Sequence, residues 1–147
     1  MSEDAKPIAL ASDHAGFALK TELAGALVEW GCSVEDLGTH DEASCDYPDF
    51  AHRLAETVAS GRCRLGVLVC GTGIGMGMAA NRHRGVRAAV CTDPYAARMS
   101  RLHNDANVLC LGSRVTGPGL ARETLKAFLD AQFEGGRHAN RVRKIDK

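Results

Sequence analysis

The chain has no excess charge, no long apolar run and no paired-cysteine spacing, and each absence removes a class of function. Its 18 basic residues match its 18 acidic ones, so it carries neither the broad basic footprint of a nucleic-acid binder nor an acidic tail. Recognition is therefore local, and no nucleic-acid partner is expected. No hydrophobic stretch approaches the roughly 20 residues that a membrane-spanning helix needs. The opening MSEDAKP is acidic and polar and lacks a signal-peptide core. A cytoplasmic protein without a membrane partner is expected. The six cysteines, at 32, 45, 63, 70, 91 and 110, include no CxxC pair. Neither disulfides nor a metal site are expected from them, and most should be small buried hydrophobes. Internal repeats and low-complexity segments are also missing.

What remains is 147 residues, enough for one domain with a substantial core. Five short apolar or β-branched runs recur: Ile8 to Ala11, Ser33 to Leu37, Leu65 to Cys70, Arg87 to Cys91 and Val108 to Leu111. Helical periods lie between them. Leu19, Leu23, Leu27 and Trp30 share one face, with Gly31 placed to end that helix. Phe50, Leu54 and Val58 follow Pro48 and precede Gly61. A third helix should begin in the glycine loop and run to about His83. Asp93 and Pro94 should open a fourth, and a fifth should run from about Pro118 to Phe133. Strict strand–helix alternation predicts a three-layer α/β/α domain on a five-stranded parallel, Rossmann-like sheet with right-handed crossovers.

Ligands of such sheets bind beyond the carboxyl ends of the strands. Ser12 to Gly16, Leu37 to Tyr47, Cys70 to Gly77 and Cys91 to Asp93 should therefore converge, with Gly112-Ser113-Arg114 added by the fifth strand. Gly75, Gly77 and Ala80 match G-x-G-x-x-G/A, but they start several residues late, and the acidic residue about 20 positions on is missing. No Lys-Ser/Thr pair completes a phosphate loop of the Walker type. The glycines are better read as backbone donors for a small anion or a developing oxyanion, at the start of a helix. Cys70 stands at the lip, where a helix start stabilises negative charge on sulfur.

His40, His52 and His83 lie on polar stretches and read as surface residues. His14 and His103 sit in the polar clusters Ser12-Asp13-His14 and His103-Asn104-Asp105, where ligand-facing and capping roles are both open. No His and Asp spacing here makes a metal set. After Gly135-Gly136, the basic RHANRVRKIDK suits a short helix with Arg137, Arg141 and Lys144 on one face. Those arginines read either as oxyanion ligands or as a solvated terminus.

Taken together, SDHAG at 12–16, DYP at 46–48, CGTGIG at 70–75, NR at 81–82, HNDANVLCLGSR at 103–114 and EGGRHANRV at 134–142 resemble one family. It is the type B ribose-5-phosphate isomerases, within the ribose/galactose isomerases, and the match spans nearly the whole chain in order. The resemblance implies a cofactor-free aldose–ketose isomerase that interconverts ribose 5-phosphate and ribulose 5-phosphate through an enediolate on the opened pentose, with a six-carbon sugar phosphate as the alternative substrate. Cys70 would be the base, Thr72 would move protons between the two oxygens, and His103 would assist ring opening. Asp13 and Asn104 would bind sugar hydroxyls and Tyr47 would shape the pocket. N–H groups from Gly71 to Gly75, including Gly73, would stabilise the enediolate. His14, Arg114, Arg137 and Arg141 would hold the phosphate. The resemblance further implies a homodimer, or a tetramer made of two such dimers, with each site shared between two subunits and residues 135–147 packing on the partner.

Overall fold

The computed structural model describes residues 2–147. In chain order come β1 (Ile8–Ser12), α1 (Phe17–Glu29), β2 (Val34–Asp36), α2 (Tyr47–Ala59), β3 (Gly66–Cys70), α3 (Ile74–Ala80), β4 (Ala88–Val90), α4 (Pro94–Asn104), β5 (Val108–Gly112), α5 (Pro118–Asp130) and α6 (Arg137–Ile145). Every strand lies within a residue of its expected span. All pairings are parallel, in the order β2-β1-β3-β5-β4.

Every residue of β1, β3 and β5 is buried, whereas β2 and β4 are only partly covered. That contrast follows from position, because a central parallel strand has helices over both faces and an edge strand does not. Alternate residues serve opposite layers. Leu10, Val67, Val69, Leu109 and Leu111 pack with Leu19, Leu23 and Leu27 of α1, Ala97 of α4, and Leu125 and Phe128 of α5. Ala9, Ala11, Leu68 and Cys110 pack with Leu54, Ala55 and Val58 of α2 and with Met76 and Ala80 of α3. The tail helix α6 buries His138 and Val142 and packs on α4.

Two helix ends differ from expectation. The third helix stops at Ala80 rather than near His83, because Asn81 bonds both the N–H and the carbonyl of Ala88, at 2.8 and 3.0 Å, and turns the chain into β4. The fifth stops at Asp130 rather than Phe133. Ala131 is extended, and the Glu134 N–H bonds the Leu102 carbonyl at 3.1 Å, drawing residues 131–136 onto the end of α4. The start of α4 is as expected: Asp93 Oδ1 accepts the Ala96 N–H at 2.8 Å, and Pro94 opens the helix.

One buried charge has no signal in the periodicity. Lys20 is 1% exposed. Its ammonium donates to both Asp36 carboxylate oxygens at 2.6 and 2.7 Å and to the Thr39 carbonyl at 2.7 Å. All three donors of the ammonium are thus satisfied, as burial of a cation demands. The pair ties α1 to the end of β2 and sets the direction of the connection that leads to Tyr47.

Candidate active site

Cys70 ends β3, and the chain turns through Gly71, Thr72 and Gly73 into α3. Gly73 holds φ at +81°, a conformation that glycine adopts without steric cost. This turn brings its N–H to the Cys70 Sγ at 3.1 Å. The Ile74 N–H is taken by Thr72 Oγ1 at 3.2 Å. The N–H groups of Gly71, Thr72 and Gly75 keep no partner among the described residues. The donor cradle is therefore narrower than the span from Gly71 to Gly75, since Gly73 serves the sulfur instead. Gly75 has a different reason to be glycine: a Cβ there would meet the Tyr47 ring at 2.4 Å. Because α3 begins at Ile74, Gly75 and Gly77 lie inside the helix and not in a strand-to-helix turn. The dinucleotide fingerprint does not apply.

A cavity of about 440 Å³ opens here, lined by Asp13, Tyr47, Cys70, Gly71, Thr72, Gly75 and Arg114, with Ile74 and Met78 at its apolar side. The strand order explains the gathering: β1, β3 and β5 are neighbours, and the crevice lies where successive connections leave in opposite directions. The strand ends are also tied to one another. Arg114 donates its N–H to the Gly71 carbonyl at 3.0 Å, and Ser113 Oγ donates to the Ala15 carbonyl at 2.8 Å. Asp13 combines two roles, since its Oδ1 accepts the Gly16 N–H at 3.0 Å while the residue lines the cavity. His14 stands beside the lining, and its Nδ1 accepts the Cys45 N–H at 3.2 Å. That contact leaves Nε2 as the nitrogen available to a ligand.

Not every expected segment converges. Cys91-Thr92-Asp93 is absent from the cavity because β4 is an edge strand, with β5 between it and β3. His52 and His83 are not simple surface residues: both are half-buried, with Nδ1 of one 2.6 Å from Nε2 of the other. His40 is exposed. All six cysteines are free. Burial pushes the Cys63 and Cys91 thiols up to about 11 and the Cys110 thiol higher still, so these three are core sulfurs. Cys32 and Cys45 are half-buried.

His103, Asn104, Arg137 and Arg141 form a second group, on the end of α4 and on α6. They cannot join the cavity of their own chain. Helices in this fold run back against the strands, so the end of the 11-residue α4 lies about 15 Å from the strand carboxyl ends, toward the amino ends of the strands. Asn104 instead lines a second cavity, of about 640 Å³, with residues 81–89 and 145–147. Beside it, His103 Nε2 lies 3.2 Å from Glu134 Oε1, and the His103 and His138 rings stack with centroids 4.3 Å apart. Reading the sequence by local spacing missed Glu134 and His138. Their signal was EGGRH itself, read there only for its arginine.

The profile of the Ribose/Galactose Isomerase family matches residues 8–145. The chain belongs to this family. It is 51% identical over 140 residues to ribose-5-phosphate isomerase B of Escherichia coli, covering 95% of this chain and 94% of that protein. It is 44% identical to the D-erythrulose-4-phosphate isomerase of Pectobacterium atrosepticum, covering 94% and 91% of the two chains. The solved structure of Clostridium thermocellum ribose-5-phosphate isomerase B has a TM-score of 0.94 at 54% identity, with 95% of each chain covered. In this ribose/galactose isomerase the fold and the order of the elements are thus those of its solved relatives. No helix among the described residues is long and apolar enough to cross a membrane.

Proposed function

We propose that the protein interconverts D-ribose 5-phosphate and D-ribulose 5-phosphate through an enediolate, serving pentose phosphate metabolism without a cofactor. The observation that carries this reading is the placement of Cys70, in a chain of this family, at the floor of a cavity with Thr72, Asp13 and unpartnered N–H groups around it.

The chemistry follows from that placement. Cys70, as thiolate, removes the proton from C2 of the opened aldose, and the electron pair forms the C1–C2 double bond while charge moves to O1. N–H groups of Gly71, Thr72 and Gly75 stabilise that oxyanion. Thr72 Oγ relays a proton from O2 to O1, Cys70 returns its proton to C1, and the C2 carbonyl forms. Asp13 and Tyr47 hold the sugar, and His14 and Arg114 hold the phosphate. A remote phosphate contact of this kind helps to fix the reacting carbons.

His103, Asn104, Arg137 and Arg141 come from the partner subunit in this proposal, with His103 assisting ring opening and the arginines completing the phosphate site. Their position at the far end of α4 from Cys70 supports a shared site, and with it a homodimer.

Incubation with ribose 5-phosphate tests the reading directly. Wild type should yield ribulose 5-phosphate, and Cys70→Ala should lower kcat at least about a hundredfold, the scale of a lost general base. No turnover by wild type, or full turnover by the variant, would refute it. The similarity to a D-erythrulose-4-phosphate isomerase makes a four-carbon sugar phosphate the specific competitor, and six-carbon sugar phosphates complete the panel. A higher kcat/KM on any of these would replace the assigned substrate.

A further inference from the structure

We propose that Glu134 is a positioning residue for the ring-opening histidine: it holds the proton on Nε2 of His103 and leaves Nδ1 as the base. This rests on the ring-opening role given to His103 above.

The segment from Ala131 to His138 is built around one side chain. Ala131 breaks α5 into extended backbone, and the Glu134 N–H anchors to the Leu102 carbonyl at 3.1 Å, one residue before His103. The Glu134 carboxylate then reaches His103 Nε2 at 3.2 Å. Gly135 and Gly136 both take positive φ, +69° and +54°, reversing the chain into α6. That reversal lays the His138 ring on the other side of His103, with planes 13° apart and centroids at 4.3 Å. One connector therefore grips the imidazole at an edge and on a face.

The platform under it is fixed as well. Asp105 ends α4 at φ +47°, and its carboxylate accepts from Arg101 and Arg87 at 3.3 Å each. Arg87 also pairs with Asp146, at the end of α6, at 2.9 Å. Both helices that carry the pair are joined through one arginine.

A carboxylate this close to a neutral imidazole repels a lone pair and attracts a hydrogen, so it favours the tautomer with the hydrogen on the nearer ring nitrogen. The other nitrogen is then a lone-pair acceptor: it takes the O1 proton as C1=O1 forms and the C1–O4 bond breaks, and it returns that proton to O4, which leaves as a hydroxyl. Burial, followed by the neighbouring His103 and Arg137, keeps His138 less basic than usual. The same three side chains have ligand atoms within 4.8 Å of one another and invite a cation reading. Near-parallel rings aim their lone pairs side by side rather than at a common point, and α6 adds Arg137 and Arg141. Proton placement fits this geometry better than metal binding.

A substrate that cannot close a ring provides the test. Ribose 5-phosphate is mostly a closed ring, whereas a four-carbon aldose phosphate, with O4 esterified, has no hydroxyl placed to close a furanose and needs no ring opening. In the full-length protein, Glu134→Ala should lower kcat on ribose 5-phosphate about tenfold or more, with KM within about twofold, and kcat/KM from ribulose 5-phosphate falls by the same factor because the equilibrium constant is fixed. Turnover of the four-carbon aldose phosphate should stay within about threefold, because it has no ring step. Glu134→Gln, which keeps an acceptor oxygen, should fall between. Nitrogen NMR of His103 should show the Nε2–H form in wild type and a mixture in Glu134→Ala. Equal losses on the two aldoses, an undiminished rate on ribose 5-phosphate, or an unchanged tautomer would overturn the proposal. The tautomer measurement needs no turnover, so a wild type inactive on these sugars would refute the proposed function and leave this inference to the spectrum.

Discussion

At the residue scale, chemistry here depends on which N–H groups are committed. Gly73 spends its N–H on the Cys70 sulfur and Thr72 Oγ1 covers Ile74, so the donors proposed for the oxyanion reduce to Gly71, Thr72 and Gly75. Sequence reading found the loop and its cysteine because strand-end position and successive glycines are local properties. It could not find the division of donors, which depends on the sign of one φ angle. His138 provides a pH test. Its folded pKa is lowered, first by burial and then by His103 and Arg137 beside it, so the unfolded chain binds the proton more readily. The stability this group contributes is complete above its unfolded value of about 6.5 and is lost as pH falls toward the folded value. The thermal midpoint of wild type should therefore drop more steeply between pH 7 and 5 than that of His138→Gln. Parallel slopes would show that the histidine is not the group responsible.

At the element scale, caps and periodicity located nearly every helix and strand, because Pro94 after Asp93 and leucines four apart act within one turn. The misplaced ends of α3 and α5 were set by partners distant in the chain, Ala88 for Asn81 and Leu102 for Glu134. The Lys20–Asp36 pair belongs to the same class, since a lysine on a helix face has no sequence mark of burial. Lys20→Met leaves Asp36 without its cation. Asp36 keeps some solvent contact, at 38% side-chain exposure, which moderates the loss to about 2–3 kcal/mol. A urea midpoint shift of that size should accompany a higher KM, because the connection to Tyr47 loses its anchor. An unchanged midpoint would mean that the pair only breaks even against its desolvation.

At the scale of the whole molecule, the residues named for the site fall into two groups toward opposite ends of the strands, and the proposed function joins them through a second copy. Mixing supplies the test. Cys70→Ala and His103→Ala, each inactive alone, should recover about a quarter of wild-type activity when refolded together in equal amounts. Half of the dimers are then mixed, and one of their two sites is intact. No recovery would mean that both residues act within one chain. The sequence by itself determined the parallel α/β/α architecture, the strand-end loop with Cys70 and the family to which the chain belongs, since each rests on local patterning or on ordered motifs. Tertiary structure alone decided the edge position of β4, the burial of Lys20 and the clasp of Glu134 and His138 around His103. These depend on segments far apart in the chain meeting in space, and no periodicity within one segment records which other segment it will meet.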